Sequence, residues 1–233
     1  MNVSIAMTSF NGEAYIEEQL ESILVQLSDQ DEIIICDDGS VDSTLEIIDK
    51  YREREPRIKL YENGGFGVVR NFESALQKCN NEIIFFSDQD DIWYPNKVYE
   101  VKKAFENSEI ALVLHNATTF CEGKAKEEIL ITSMKHGILK NIIKSCYWGC
   151  CMAFRREFLQ TFYPFPEGVI AYDQWIGLLA ESKRVSRFVD EPLLKHRKHR
   201  KNVTKPLHLK DKILFRINIA SRYLKWRIRW IKN

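Results

Sequence analysis

No apolar run in this chain of 233 residues approaches the roughly 20 that a membrane-spanning helix needs. Met1 leads straight into the strand-like VSIAMTS with no basic stretch before it, so no secretory leader is expected. The six cysteines form no Cys-x-x-Cys pair, which removes the usual zinc and dithiol spacings. Several sit among apolar neighbours, and buried free thiols in a reducing cytoplasm are the expectation. A Gly-x-Gly-x-x-Gly turn after the first candidate strand is missing, and so is any Gly-x4-Gly-Lys-[Ser/Thr] loop. Dinucleotide fingerprints and P-loop ATPases are thereby excluded. A net charge of only +1 disfavours a whole-protein electrostatic role, although it conceals an asymmetry. Residues 207–233 hold eight Lys or Arg against Asp211 alone, a net +7 that leaves −6 for residues 1–206.

What is present points to a soluble globular domain with ample material for a core: 45% of residues are hydrophobic and 29% charged. The stretch that organises the rest is Ile83 to Trp93, IIFFSDQDDIW. Its apolar run fits a strand buried on both faces, and it breaks into Asp88, Asp90 and Asp91. Carboxylates so close repel one another unless a cation sits among them, and hard divalent ions take such oxygens together with substrate phosphates. A solvated acidic turn is the plain alternative. Upstream, strand candidates Val3 to Thr8, Asp31 to Cys36 and Ile58 to Tyr61 alternate with helical patterns. The helices are carried by Tyr15, Ile16, Leu20, Ile23, Leu24 and Leu27, by Leu45, Ile47, Ile48 and Tyr51, and by Val68 to Lys78. Such alternation predicts βαβ units and a parallel sheet whose strand ends at Thr8, Asp37 and Asp88 share one rim.

The second half is less regular. Pro95 suits a first helical turn, continued by Val98, Val101, Lys102 and Phe105. Ile110 to Leu114, Trp148 to Phe154 and Arg187 to Asp190 read as strands, and Tyr172-Asp173-Gln174-Trp175 opens a helix. Asp173 suits an N-cap as well as a catalytic base. Arg70 and Asn71 could reach a phosphate or simply face solvent, His115 reads as a core histidine, and His136 shows no partner signal.

Taken together, MTSFNG, CDDGSVDST, NGGFGVVRNFESAL, FFSDQDDIW, WGCCMAF, YDQWIGLLA and HRKHRKN resemble bacterial inverting glycosyltransferases of the GT-A fold. The branch most resembled is the rhamnosyltransferase-like one that builds surface polysaccharides, over residues 2–205. This resemblance implies an α/β fold with a Rossmann-like nucleotide-binding half (1–94) and an acceptor half (95–206). It places Thr8, Ser9, Phe10, Asn11, Asp38, Gly65, Arg70 and Asp90 against the nucleotide-sugar, with Asp38 on the pyrimidine base. Asp91, Asp90 and His199 would hold Mg²⁺ or Mn²⁺ on the donor diphosphate, Asp88 would lead the acidic motif, and Asp173 would be the general base. No Gln-x-x-Arg-Trp motif is present, so a processive synthase is not implied. Two other readings stand beside this one. A sugar-1-phosphate nucleotidyltransferase shares such acids but usually has a cationic glycine-rich loop after the first strand, where this chain has TSFNGEAY. A non-catalytic, nucleotide-sugar-binding subunit would keep the fold without needing its acids.

In the tail, Leu209, Ile213, Ile217, Ala220, Leu224, Ile228 and Ile231 recur at helical spacing among basic residues. Residues 207–233 are thus expected to lie on the inner, anionic face of the cell membrane, or else to pack on the domain or a partner. Nucleic acid is disfavoured because the basic excess is confined to this one segment. Donor sugar, acceptor and oligomeric state stay open at this level.

Overall fold

A computed structural model describes residues 1–121, 127–131, 137–199 and 208–232. His136 and the Arg200-Lys201-Asn202 end of HRKHRKN lie outside these, as do the side chains of Leu209, Trp230 and Ile231. In chain order come β1 (Val3–Ser9), α1 (Ile16–Leu24), β2 (Glu32–Asp37), α2 (Thr44–Arg52), β3 (Ile58–Glu62), α3 (Val68–Lys78) and β4 (Ile83–Ser87). They are followed by β5 (Ile92–Trp93), α4 (Lys97–Ala104), β6 (Leu112–Phe120), β7 (Glu128–Ile129) and α5 (Ile138–Ile143). A 3₁₀ turn (Gly149–Cys151) then precedes β8 (Met152–Arg155), α6 (Leu159–Phe162), α7 (Tyr172–Lys183), β9 (Ser186–Arg197) and α8 (Leu209–Lys232).

Nine strands form one sheet in the order β3-β2-β1-β4-β8-β6-β9-β5, with β7 added to β6. The first four are parallel, and their register sets Ser9 beside Asp37 and Met7 beside Ser87. The strand ends that carry polar groups therefore do share a rim. Strand β8 runs antiparallel to β4 and β6, β6 pairs β9 in parallel, and β9 pairs β5 antiparallel.

Alternate side chains of the central strands feed two cores, as the period of two along a strand requires. Val3, Ile5, Ile33, Ile35, Ile83 and Phe85 pack with α1, α2 and α4; Ala6, Ile34, Cys36, Ile84 and Phe86 pack with α3, α6 and α7. Each large side chain removed from water in this way contributes about 1.5–3 kcal/mol. Strands covered on both faces have few polar positions before the rim, which is why β1, β2 and β4 read as largely apolar runs; the exceptions, Ser4 and Glu32, bond one another at the far end.

Three elements differ from the sequence expectation. Trp148 to Phe154 is not one strand: its first half winds into the 3₁₀ turn at Gly149–Cys151 before β8 begins. The last strand extends far beyond Asp190, to Arg197, because Pro192 falls opposite Asn116 at a β-bulge, where a missing amide costs no ladder bond. Asn116 supplies the bonds the bulge disrupts, to Ala117, Ile131 and Asp190. Similarly, β6 starts at Leu112 and continues to Phe120. All six cysteines are free, five of them buried.

Candidate active site

The rim is built first from turns that satisfy their own backbone. Asp37, fully buried, accepts the amides of Gly39 and Ser40 and the hydroxyls of Ser9 and Ser40, at 2.6–3.0 Å. Gly39 sits at φ +89°, which only glycine adopts at no steric cost, so the DDGS turn closes over Asp37. Asp38 points the other way and accepts the amides of Phe66 and Gly67 at 2.8 and 2.9 Å, which ties the second rim loop to the glycine-rich third. Asn11 is used internally: its amide donates to Ser40 and its Oδ1 accepts from Val41. Thr8 is buried and the Phe10 ring is exposed beside it.

The acidic loop between β4 and β5 is clamped from both ends. Gln89 exchanges two hydrogen bonds with the main chain of Phe10, at 2.8 and 2.9 Å. A Cβ on Gly12 would lie 2.2 Å from Gln89 Oε1, so this clamp requires the glycine. Gln19, buried on α1, donates to Ser87 Oγ and the Asp88 carbonyl. On the far side, β5 pairs with β9, and this pairing brings the end of β9 over the acids. Asp91, fully buried, accepts from the Arg197 amide at 3.2 Å and meets His196 Nδ1 at 2.8 Å through the same oxygen, Oδ1. Its Oδ2 is buried without a partner. Asp90 Oδ2 lies 2.8 Å from His199 Nε2, and His199 stacks on Tyr15 with ring centres 4.6 Å apart. The Arg197 side chain bonds Glu18 and the Asp90 carbonyl beneath them.

Asp173 enters from the opposite side. It lies in the first turn of α7 but does not cap it; the cap position is Ala171. The carboxylate accepts the Gln174 amide at 2.7 Å, and the Gly149 amide of the 3₁₀ turn helps pull its pKa down. Gly149 has no room for a side chain, since a Cβ there would stand 2.0 Å from the Tyr172 hydroxyl.

These groups form one electrostatic unit. Burial, then the charges of Asp91 and Asp90, push the Asp88 carboxyl up to about 8. Asp90 is raised for the same reasons, against the opposing hydrogen bond to His199. Asp173 is pushed up to about 6 by burial, with its amide donors pulling back. Burial disfavours charge on His196, but its hydrogen bond to Asp91 prevails and carries the ring up to about 11.

Carboxylates raised by one another are a donor set short of cations, and a divalent ion fits that deficit. The unpartnered Asp91 Oδ2 makes the same point, because a buried carboxylate oxygen without a donor is costly. Asp91, Cys150 and His196 place donor atoms within 4.8 Å of one another. However, a thiol held well above its ordinary pKa, chiefly by Cys151 and by burial, is a soft and protonated donor, poorly matched to Mg²⁺ or Mn²⁺. Asp90 and His199 supply oxygen and imidazole nitrogen on side chains 13% and 14% exposed, and Asp91 adds its buried, unpartnered Oδ2 behind them.

The structure brings Asp38, Asp90, Asp91, Asp173, His199 and the first loop to one rim. Gly65, at φ +77°, shapes the loop that Asp38 holds. Arg70 is half-exposed and ion-paired with Glu73, while Asn71 is a buried strut that bonds Asn63 and the Cys36 carbonyl. His115 is a core residue, as expected; its Nδ1 meets the Asn116 carbonyl, and burial holds its pKa well below the ordinary value. Gln89 and Lys97 are not picked out by the sequence, although Lys97 stands four residues before Val101 on the buried face of α4. Gly149 is visible there only as a small residue suited to close backbone approach, and His196 only as part of the segment with His199.

A model of Glycosyl transferase family 2 matches residues 4–162. A dTDP-rhamnosyl transferase of Shigella flexneri, RfbG, is 27% identical over 84% of this chain and 72% of its own length. The Escherichia coli WfgD, named as a UDP-Glc:alpha-D-GlcNAc-diphosphoundecaprenol beta-1,3-glucosyltransferase, is 30% identical over 77% of this chain and 70% of its own. Other curated relatives are longer, and the chain spans about half their length. Among solved structures, S. aureus TarS with UDP-GlcNAc superimposes at a TM-score of 0.75 and 21% identity, covering 95% of this chain and 66% of that one. Glucosyl-3-phosphoglycerate synthase from Mycobacterium tuberculosis, with Mn²⁺ and UDP, follows at 0.61 and 20%, covering 97% and 79%. These two share the GT-A fold. With the family model covering well over half of the 233 residues, the chain belongs to Glycosyl transferase family 2.

Proposed function

We propose that this protein is a metal-dependent, inverting glycosyltransferase. It moves a sugar from a nucleoside-diphosphate donor to a hydroxyl of a glycan or lipid-linked acceptor in cell-surface polysaccharide synthesis. The observation that carries the reading is the meeting of mutually raised acids with one separate, amide-held carboxylate, Asp173, across the same rim. In the transfer, the acceptor hydroxyl gives its proton to Asp173 as its oxygen bonds the anomeric carbon. The bond from that carbon to the diphosphate breaks on the opposite face, so the configuration inverts.

Asp91, through its unpartnered Oδ2, Asp90 and His199 would hold Mg²⁺ or Mn²⁺. When bound, such an ion supplies Lewis-acid stabilisation to the departing diphosphate. Asp38 takes the base, Thr8 and Phe10 line the nucleotide, and Ser9 and Asn11 keep the first loop on the second. The donor is a UDP- or dTDP-sugar; RfbG's name favours dTDP-rhamnose, and WfgD's favours a lipid diphosphate acceptor.

Helix α8 supports work at a membrane surface. Ile219, Tyr223 and Trp226 pack on the domain, while Ile213, Ile217, Leu224 and Ile228 stand exposed on the opposite side between Arg216 and Arg227 and Lys225 and Arg229. That is the geometry of an interfacial helix. A Leu224→Asp variant is expected to lose binding to phosphatidylglycerol vesicles while folding normally.

The deciding experiment is a thermal-shift screen of UDP-, dTDP- and GDP-sugars with and without Mn²⁺ or Mg²⁺. Stabilisation that needs the metal and disappears in Asp90→Ala supports the reading. Stabilisation by a nucleoside triphosphate with a sugar phosphate instead would overturn it.

A further inference from the structure

Lys97, the first residue of α4, is completely buried. An ammonium is compact and strongly hydrated, and lysines are almost never found so deep without a partner. Its Nζ donates to the Cys150 carbonyl at 3.0 Å and lies 3.8 Å from the centre of the Trp93 ring. Neither partner is charged, so neither offsets the desolvation of the ammonium as a paired carboxylate would. Burial drives the Lys97 ammonium down to about 8, against the pull of the nearby Asp91 and Asp88 carboxylates, which leaves it charged at neutral pH.

Its position shows what that charge accomplishes. Trp93 belongs to β5, the strand that closes the acidic loop, and Cys150 belongs to the 3₁₀ turn whose Gly149 lies against the Tyr172 hydroxyl, one residue before Asp173, and whose amide pulls the Asp173 carboxyl down. A single side chain therefore joins the wall of the acid cluster to the turn that holds the base.

We propose that Lys97 is a positioning residue of the transfer reaction: it pins the Cys150 carbonyl, and thereby the turn that aims the Asp173 carboxylate at the acceptor. The inference deepens the proposed function and relies on Asp173 as its base. A carbonyl acceptor and an ammonium donor make a charge-assisted bond, stronger than a neutral one and more demanding of geometry. Without it the turn keeps its packing but loses this charge-assisted tie, and the Gly149 amide drifts from the carboxylate. Displacements of about 1 Å in a reacting constellation cost roughly 10²-fold in rate.

The test uses the full chain carrying Lys97→Met, with Lys97→Gln and Lys97→Arg beside it. Asp173 is titrated by ¹³C NMR of its carboxyl in metal-free protein, with the resonance assigned by its loss in Asp173→Asn. Binding of UDP with Mn²⁺ is followed by calorimetry, and turnover uses whichever of UDP-glucose or dTDP-rhamnose the wild type consumes. In Lys97→Met the Asp173 midpoint is expected to rise as its amide donor loosens, and kcat to fall at least about tenfold. UDP–Mn²⁺ affinity and donor KM should stay within about twofold. Lys97→Gln, whose amide can still donate to the carbonyl, should recover part of the loss. An unchanged Asp173 titration, or a fall in kcat matched by lost UDP binding, overturns the proposal. Failure of all three variants to fold also overturns it, by assigning Lys97 to the core alone. Because the titration requires no turnover, it separates this proposal from the base assignment, which fails by itself if Asp173→Asn remains fully active.

Discussion

At the ends of β1 to β3, rim groups are held by their own turns and by those of the adjacent strands. Asp37 is satisfied by Gly39, Ser40 and Ser9, and Asp38 by two amides of the Asn63–Gly67 loop. Beyond Trp93 the pattern reverses. His196 is set by Asp91, Arg197 by Glu18 and Lys97 by the Cys150 carbonyl, while the turn at Gly149 abuts Tyr172 beside Asp173. The first three rim loops are thus set by turns of neighbouring strands in one half, whereas the acid cluster and the acceptor side exist only once distant segments have docked. Damage on the donor side should stay local and appear as weakened binding. Damage on the acceptor side should appear in turnover and spread into stability.

The strongest way to sharpen that contrast is Asp173→Asn. Turnover should fall by about 10²–10⁴-fold, with metal-dependent donor stabilisation retained. In the wild type, kcat should climb as pH rises through about 6, since the base must be ionised. The stability effect has the opposite sense. A carboxyl whose pKa is raised on folding stabilises fully below its unfolded value, and that contribution is lost as pH rises through the folded one. Above pH 6 the Asn variant should therefore melt higher than wild type, a difference that calorimetry at pH 4 and pH 7.5 would register.

Gly149→Ala comes next. Its methyl would collide with the Tyr172 hydroxyl at 2.0 Å, so overpacking of about 1–3 kcal/mol should accompany a loss of turnover. A variant that lost turnover at unchanged melting temperature would weaken the contrast between the halves. Asp38→Ala should raise donor KM by roughly 10-fold or more, as hydrogen bonds to a charged group contribute about 1.5–3 kcal/mol, while leaving the pH profile in place. Arg70→Ala should matter least, because an exposed ion pair is worth about 0–1 kcal/mol; a donor KM raised beyond about threefold would show that Arg70 leaves Glu73 for a phosphate.

The same contrast explains what the sequence made visible. Strands β1 to β4 and their helices stood out because both faces of each strand are covered, so the apolar run ends where the functional group begins. Asp90 and Asp91 stood out as acids closing an apolar run, and Asp38 and Asp173 through the family resemblance. The roles of Gln89, Gly149, His196 and Lys97 did not, because each acts through a partner far along the chain that no local pattern announces. The length of β9 was hidden by Pro192, which reads as a strand end until the bulge at Asn116 is seen opposite it.

Asp38 has one more consequence. Its two oxygens already accept from Phe66 and Gly67, so on the proposed reading a nucleobase arrives at an acceptor that the chain is using. The glycine-rich loop then acts as a tethered competitor at high effective concentration, and observed donor affinity is divided by the fraction of time it stands aside. Selectivity for the base would begin with that exchange: a base whose N–H groups replace both amides is admitted without loss, and one that replaces a single amide leaves a carboxylate oxygen short of a donor.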